Sequence, residues 1–130
     1  MAELPGRAVE ADNRPKEILV AEDTDSNFLL VSIILRKEYT VLRAYNGIEA
    51  IDVYKKEQPD LILMDIKMPE MDGLEASRAI RDIDPEIPII ALTANAFDSD
   101  KQKAIDAGCN DYMAKPIVVG QLTAMIKKYI

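Results

Sequence analysis

The chain has 130 residues, of which 48% are apolar and 30% charged, the size and make-up of one soluble globular domain with a single core. That leaves no room within these residues for a catalytic domain joined to a separate regulatory or DNA-binding one. Sixteen Lys and Arg face 23 Asp and Glu, a net charge of −7, and there is no histidine, which argues against direct nucleic-acid binding and excludes a phosphohistidine, a histidine base, a histidine zinc ligand and every Ser/His/Asp or Cys/His hydrolytic arrangement.

Met1 to Pro15 holds Pro5, Gly6 and Pro15 among scattered charges with no apolar stretch, the pattern of a flexible tail or inter-domain linker and not of a signal peptide. The folded domain is expected over 16–130. Ile18 to Ala21 reads as a buried strand. Phe28 to Leu35 then forms a long apolar segment behind Asp25-Ser26-Asn27. Val31, Ile33 and Ile34 suit a strand as well, but the length of the segment and a capping Asp25 favour a largely buried helix.

Tyr39 to Ala44 reads as a second strand, and Asn46-Gly47 turns into a helix through Ile48, Ile51, Val53 and Tyr54 that Pro59 breaks. Leu61 to Met64 is a third buried strand, ending at Asp65. Pro69 and Gly73 mark a loop before a helix through Leu74, Ala76, Ile80 and Ile83, stopped by Pro85. Ile87 to Leu92 forms a fourth strand, Phe97 to Ala107 a helix ended by Gly108, and Asp111 to Ala114 a short fifth strand. Val118 to Ile130, with Leu122, Met125, Ile126 and Ile130 at helical spacing, closes the chain. The lone Cys109 forms no internal disulfide and suits a reducing cytoplasm, and no window reaches the ~20 apolar residues of a membrane span.

Five β–α units with strands apolar on both faces imply a parallel sheet covered by helices on both sides, a three-layer α/β sandwich with right-handed crossovers. Ligands of such sheets bind at the carboxyl ends of the strands. Those ends carry Glu22-Asp23, Asp65, Thr93 and Lys115-Pro116. Three carboxylates there repel a bare phosphate, so a flavodoxin-type FMN site does not fit; they suit a hard divalent cation, Mg²⁺ better than a closed Ca²⁺ cage. With the cation present, phosphate oxygens become acceptable, and Thr93 and Lys115 can bind them. Asp65, at the end of the central strand, is the candidate nucleophile toward a phosphoryl group.

Each feature has an ordinary reading taken singly. An acidic pair at a strand end is usually a solvated turn, an Asp after a strand a turn former, Thr93-Ala94-Asn95 a capping loop, and Lys115 a surface charge. Their convergence at consecutive strand ends is what points to chemistry.

Four stretches carry a resemblance: Ile18-Leu19-Val20-Ala21-Glu22-Asp23, Leu63-Met64-Asp65 through Pro69-Glu70-Met71-Asp72-Gly73, Ile89-Ile90-Ala91-Leu92-Thr93-Ala94, and Gly108-Cys109-Asn110-Asp111-Tyr112-Met113-Ala114-Lys115-Pro116. In this order they resemble the receiver domain of two-component response regulators, most of all receivers of hybrid sensor histidine kinases. The resemblance covers 16–130. It implies a doubly wound, flavodoxin-like five-stranded sheet of order 2-1-3-4-5 and a phosphoryl group passed from a histidine kinase or histidine phosphotransfer domain to Asp65. Also implied are Mg²⁺ on Glu22, Asp23, Asp65 and the backbone carbonyl of Lys67, phosphoryl oxygens on Thr93 and Lys115, and a cis Lys115–Pro116 bond. Tyr112 falls at the family's switch aromatic, coupled to Thr93. Its enzymatic activity would be self-catalysed phosphotransfer and autodephosphorylation only.

The resemblance also places the Lys67 side chain near the path of the attacking water. Ala94 is small and leaves the site open, Cys109 is expected to be packed, Met68 and Met71 to pack around the loop, and Gly73 to serve the start of the third helix. A metal-dependent phosphatase is a second class, but Asp65-Ile66-Lys67 lacks a second acid two residues on and no cap domain is present. A pseudo-receiver would need a broken site, and all five key positions are filled. The linker-like first 15 residues favour a piece of a larger hybrid kinase. Weak homodimerisation through the fourth helix, fifth strand and fifth helix is left open by the sequence.

Overall fold

The computed structural model describes residues 15–94 and 98–130. Strands and helices alternate along them: β1 Glu17–Ala21, α1 Asp25–Leu35, β2 Thr40–Ala44, α2 Gly47–Glu57, β3 Leu61–Asp65, α3 Gly73–Ile83, β4 Ile89–Thr93, α4 Asp98–Asp106, β5 Asp111–Ala114 and α5 Val119–Tyr129. The five strands form one parallel sheet ordered β2-β1-β3-β4-β5. Strand order reverses between β1 and β3, which opens a crevice beyond their carboxyl ends.

The two-residue period of each strand sorts side chains into two layers. Leu19, Ala21, Ile62, Met64, Ile89 and Ala91 share one face with Ala50 and Tyr54 of α2, Ala76 and Ile80 of α3, and Ala104 of α4. Ile18, Val20, Leu61, Leu63, Ile90, Leu92 and Met113 share the other with Val31 and Leu35 of α1 and Leu122 and Ile126 of α5. Every residue of β3 and β4 is buried, as the central position of strands covered on both faces requires.

Helices α2 and α3 begin with the same chemistry, Asn46-Gly47-Ile48-Glu49 and Asp72-Gly73-Leu74-Glu75. Asn46 Oδ1 accepts the N–H of Glu49 at 2.8 Å and Asp72 Oδ1 that of Glu75 at 2.9 Å, so each helix starts on a side-chain cap. Helix α2 ends in the left-handed Gln58, φ 48°, immediately before Pro59, which has no N–H to continue it.

Helix α1 departs from expectation. It is buried only at Val31 and Leu35, while Leu29, Leu30 and Ile33 are 55%, 46% and 42% exposed. Its apolar residues run round the whole circumference, and the sheet can cover only one stripe of them. Nor does Asp25 cap it: Thr24 is the N-cap residue, without a side-chain bond, and Asp25 instead pairs with Arg43 at 2.9 Å. Ile48 and Ile83, expected on apolar faces, are about half exposed. Strand β4 starts at Ile89 and not at Ile87, with the Pro88 carbonyl still accepting the N–H of Ile62. Phe97 and the tail over 1–14 lie outside the described residues.

Candidate functional site

The carboxyl edge of the sheet is assembled from backbone bonds that run past the strands. The N–H of Glu22 donates to the Ala44 carbonyl at 2.9 Å, extending the β1–β2 ladder by one residue. This keeps Glu22 in register with the sheet and buries its side chain, only 2% exposed, while Asp23 turns outward. The N–H of Ile66 donates to the Leu92 carbonyl and that of Lys115 to the Thr93 carbonyl, which aligns the ends of β3, β4 and β5. Asp65 and Thr93 are 6% and 5% exposed.

A glycine makes the Asp65 end of β3 possible. The Gly73 N–H donates to the Ile66 carbonyl at 2.8 Å, and a Cβ on Gly73 would lie 2.1 Å from the Asp65 carbonyl oxygen. Only a residue without a side chain lets α3 approach so closely.

One oxygen each from Glu22, Asp23 and Asp65 lie within 4.8 Å of one another. Lys115 reaches into this group: its Nζ is 2.9 Å from Glu22 Oε1 and 2.9 Å from Asp65 Oδ2. The Lys115–Pro116 bond is cis, as the resemblance implies. The other Asp65 oxygen, Oδ1, accepts the N–H of Lys67 at 3.2 Å. Asp23, Asp65, Lys67, Thr93, Ala94 and Lys115 line an open cleft of about 480 Å³, together with Asp100 and Lys103 of α4. Glu22 lies beneath it and lines a smaller cavity with Leu30, Val31, Pro116 and Ile117.

Sharing one ammonium between two carboxylates shows in the acidities. Burial pushes Glu22 above the usual carboxylate range; Lys115 opposes this, and the nearby Asp65 adds to it. Burial pulls Lys115 down, but its hydrogen bonds to Glu22 and Asp65 and their charges outweigh that and leave it above the usual lysine value. Lys115 therefore keeps its ammonium at neutral pH, while burial opposes the charge of Glu22.

The structure brings Glu22, Asp23, Asp65, Lys67, Thr93 and Lys115 to one edge, as the sequence places them. Tyr112 stands apart, half-buried on β5 beside Ala91, with Lys101 Nζ 4.8 Å from its ring centre. Cys109 is buried, its thiol directed at the Ser77 hydroxyl at 3.5 Å, and burial pushes its pKa up, so it is a packed thiol and not an activated one. Sequence reasoning missed Asp100 and Lys103 in the cleft wall, and Arg43, whose guanidinium grips the Glu22 carbonyl. No motif marks any of the three.

A doubly wound parallel sheet with an acidic cleft and one inward lysine at its carboxyl edge places the chain in the flavodoxin-like class of α/β domains. The chain belongs to the response regulator receiver domain family, whose model matches residues 18–127. It is 40% identical over 119 residues, 89% of this chain and 97% of the relative, to the polar-differentiation response regulator DivK of Brucella anthropi. Among solved structures it is similar to the receiver domain of the sensor histidine kinase PA1611 of Pseudomonas aeruginosa, which holds a magnesium ion in its active-site cleft. That match has TM-score 0.83 and 37% identity over 89% of this chain and 98% of the other. It is likewise similar to a chain from the Saccharomyces cerevisiae co-crystal structure of the histidine phosphotransfer protein Ypd1 with the receiver domain of the response regulator Ssk1. Here the TM-score is 0.84 and the identity 33%, over 88% of both chains.

Proposed function

We propose that this receiver domain takes a phosphoryl group from a phosphohistidine of a partner protein onto Asp65, in a reaction that needs Mg²⁺. The observation that carries this reading is the setting of Asp65, a buried carboxylate at the end of the central strand that opens on the cleft. One of its oxygens is held by Lys115, and the other meets the Lys67 N–H at a long 3.2 Å. That second oxygen is the nucleophile: it bonds to phosphorus as the P–N bond of the donor breaks, and the imidazole keeps the electron pair and takes up a proton.

The charge balance fits a divalent cation. Three carboxylates against one ammonium leave two negative charges, and an all-oxygen donor set suits Mg²⁺. Glu22, Asp23, Asp65 and the Lys67 carbonyl would hold it, and its chemistry there is to offset the roughly −2 charge of the incoming group. The similar magnesium-bound receiver supports this assignment. Lys115 then exchanges Asp65 for a phosphoryl oxygen, and the Thr93 hydroxyl donates to another. Drawing Thr93 toward the phosphoryl group frees space for Tyr112 to turn inward, which changes the face formed by α4, β5 and α5.

The similar chain from a co-crystal with a histidine phosphotransfer protein supports a donor of that class. Leu29, Leu30 and Ile33 of α1, with Leu30 lining a cavity beside Glu22 and Lys115, supply apolar surface for it next to the cleft. The family match over 18–127 supports a domain over 16–130, with 1–15 as tail or linker. Among the described residues no helix is long and apolar enough to cross a membrane.

The test is incubation with phosphoramidate in Mg²⁺ and in EDTA, read by intact mass. One phosphoryl group is expected in Mg²⁺, none in EDTA and none on Asp65→Asn. Stoichiometric phosphorylation in EDTA, or of Asp65→Asn, refutes the assignment.

A further inference from the structure

Arg43 lies on β2 opposite Val20 of β1, outside every motif of the site. Its side chain is 16% exposed and each of its nitrogens has a partner. Nε and Nη2 donate to the Glu22 carbonyl at 3.3 and 3.1 Å, Nη2 also reaches Asp25 Oδ1 at 2.9 Å, and Nη1 donates to the Tyr45 hydroxyl at 3.2 Å. The guanidinium lies over two rings, its central carbon 4.4 Å from the centre of Phe28 and 3.9 Å from that of Tyr45. A planar fork with aromatic faces on it is ordered before any ligand arrives.

The group it grips is the peptide that joins the two acids. The Glu22 carbonyl and the Asp23 N–H belong to one rigid plane, so fixing that carbonyl fixes how Asp23 leaves Glu22. The opposite side of Glu22 is tied as well, through its N–H on Ala44. Without Arg43 that plane is free to rotate and to swing the exposed Asp23 away from Asp65.

We propose that Arg43 is a positioning residue for divalent-cation binding, clamping the Glu22–Asp23 peptide so that both carboxylates stay converged on Asp65. The proposal rests on the cation site described above. It fixes the sign of the effect: as a bare positive charge near the acids Arg43 would weaken cation binding, and its removal would tighten it, whereas as a clamp its removal weakens binding.

Mg²⁺ affinity of the whole chain, measured by isothermal titration for wild type, Arg43→Met and Arg43→Lys, decides between them, with melting in EDTA as the structural control. Arg43→Met is expected to bind about tenfold more weakly, the loss usual for an outer partner that orients a ligand. Arg43→Lys, keeping the charge but only one donor direction, is expected to bind about threefold more weakly. At saturating Mg²⁺ the phosphoramidate reaction of both returns to near the wild-type rate. Equal or tighter binding by Arg43→Met overturns the proposal, as does wild-type affinity in Arg43→Lys should the Met variant fail to fold. If wild type itself binds no Mg²⁺, the cation site is wrong and the proposal falls with it, an outcome distinct from equal affinities.

Discussion

Gly73→Ala measures how tightly α3 is docked on Asp65, the proposed acceptor. A Cβ there would lie 2.1 Å from the Asp65 carbonyl oxygen and 2.9 Å from both the Asp65 carbonyl carbon and Met64 Cγ, where real contacts essentially never fall under 3.0 Å. The backbone must open by about 0.9 Å, and α3 cannot retreat freely because the Gly73 N–H is bonded to Ile66. Overpacking of this kind costs ~1–3 kcal/mol and a stretched hydrogen bond ~1 kcal/mol more. At roughly 3–4 °C per kcal/mol for a chain of this size, melting should fall by roughly 6–16 °C. An acceptor displaced by nearly an ångström should lose about 10²-fold in phosphorylation rate from phosphoramidate. Gly120→Ala is the control, since nothing lies within 4 Å of its Cβ and alanine favours a helix by ~0.5–1 kcal/mol. A Gly73→Ala protein that melts within about a degree of wild type and reacts within about twofold of its rate would refute the argument.

Lys67 is exposed at the mouth of the cleft; Lys67→Ala should change the rate of phosphoryl loss after donor removal more than the rate of phosphorylation, and equal effects would take its side chain off the water path. Leu30→Glu should slow transfer from a phosphohistidine protein by about tenfold or more, through lost apolar contact of ~1.5–3 kcal/mol, and leave the phosphoramidate rate unchanged; parallel losses would exclude α1 as donor contact. Tyr54 donates to Asp84 Oδ2 at 2.7 Å, and burial, then the bond to Asp84 and its charge, push the phenol up to about 12. The unfolded phenol ionises near ~10, so between these values the folded state holds the extra proton and stability falls as pH rises. In an absorbance titration Tyr54 should ionise well above the ordinary tyrosine range; loss of no late-titrating component in Tyr54→Phe would contradict this. Asp84 is held below its usual range, first by the Tyr54 hydrogen bond and then by the Glu86 N–H, so its contribution to stability is present above the ordinary Asp value and is lost as pH falls through its lower folded one.

What the sequence made legible follows from how each feature is encoded. Strand ends were readable because buried strands are short apolar runs and the polar residue that stops each one is the residue at the crevice: Glu22, Asp65, Thr93 and Lys115. Helix α1 was readable as a helix but not in its burial, because Phe28 to Leu35 is apolar on every side and a sequence does not say which stripe meets the sheet. Asp25 looked like a cap because its type and place fit one. The structure gives it to Arg43, a partner on β2 that local reasoning cannot see. Gly73 was marked by its position before a helix, yet the reason only a glycine fits, the Asp65 carbonyl 2.1 Å from its missing Cβ, is a tertiary fact.

The site is built to be uncomfortable without its ligands. Glu22 keeps its proton to a higher pH when folded than when unfolded, because burial opposes its charge. The native state therefore binds more protons than the unfolded one above the ordinary Glu value, and stability falls as pH rises through that window. Lys115 works in the other direction: raised by two carboxylates, it contributes stability below the ordinary lysine value that is lost only as pH rises through its folded one. One ammonium is shared between two carboxylate groups, while Asp23, with no ion pair or hydrogen bond among the described residues, faces the cleft. A second Lys on the pair would relieve the repulsion but abolish the deficit that draws a dication. On the proposed function, a formal balance short by two charges would favour cation binding, and only then would a phosphoryl group beside three carboxylates cease to be repelled.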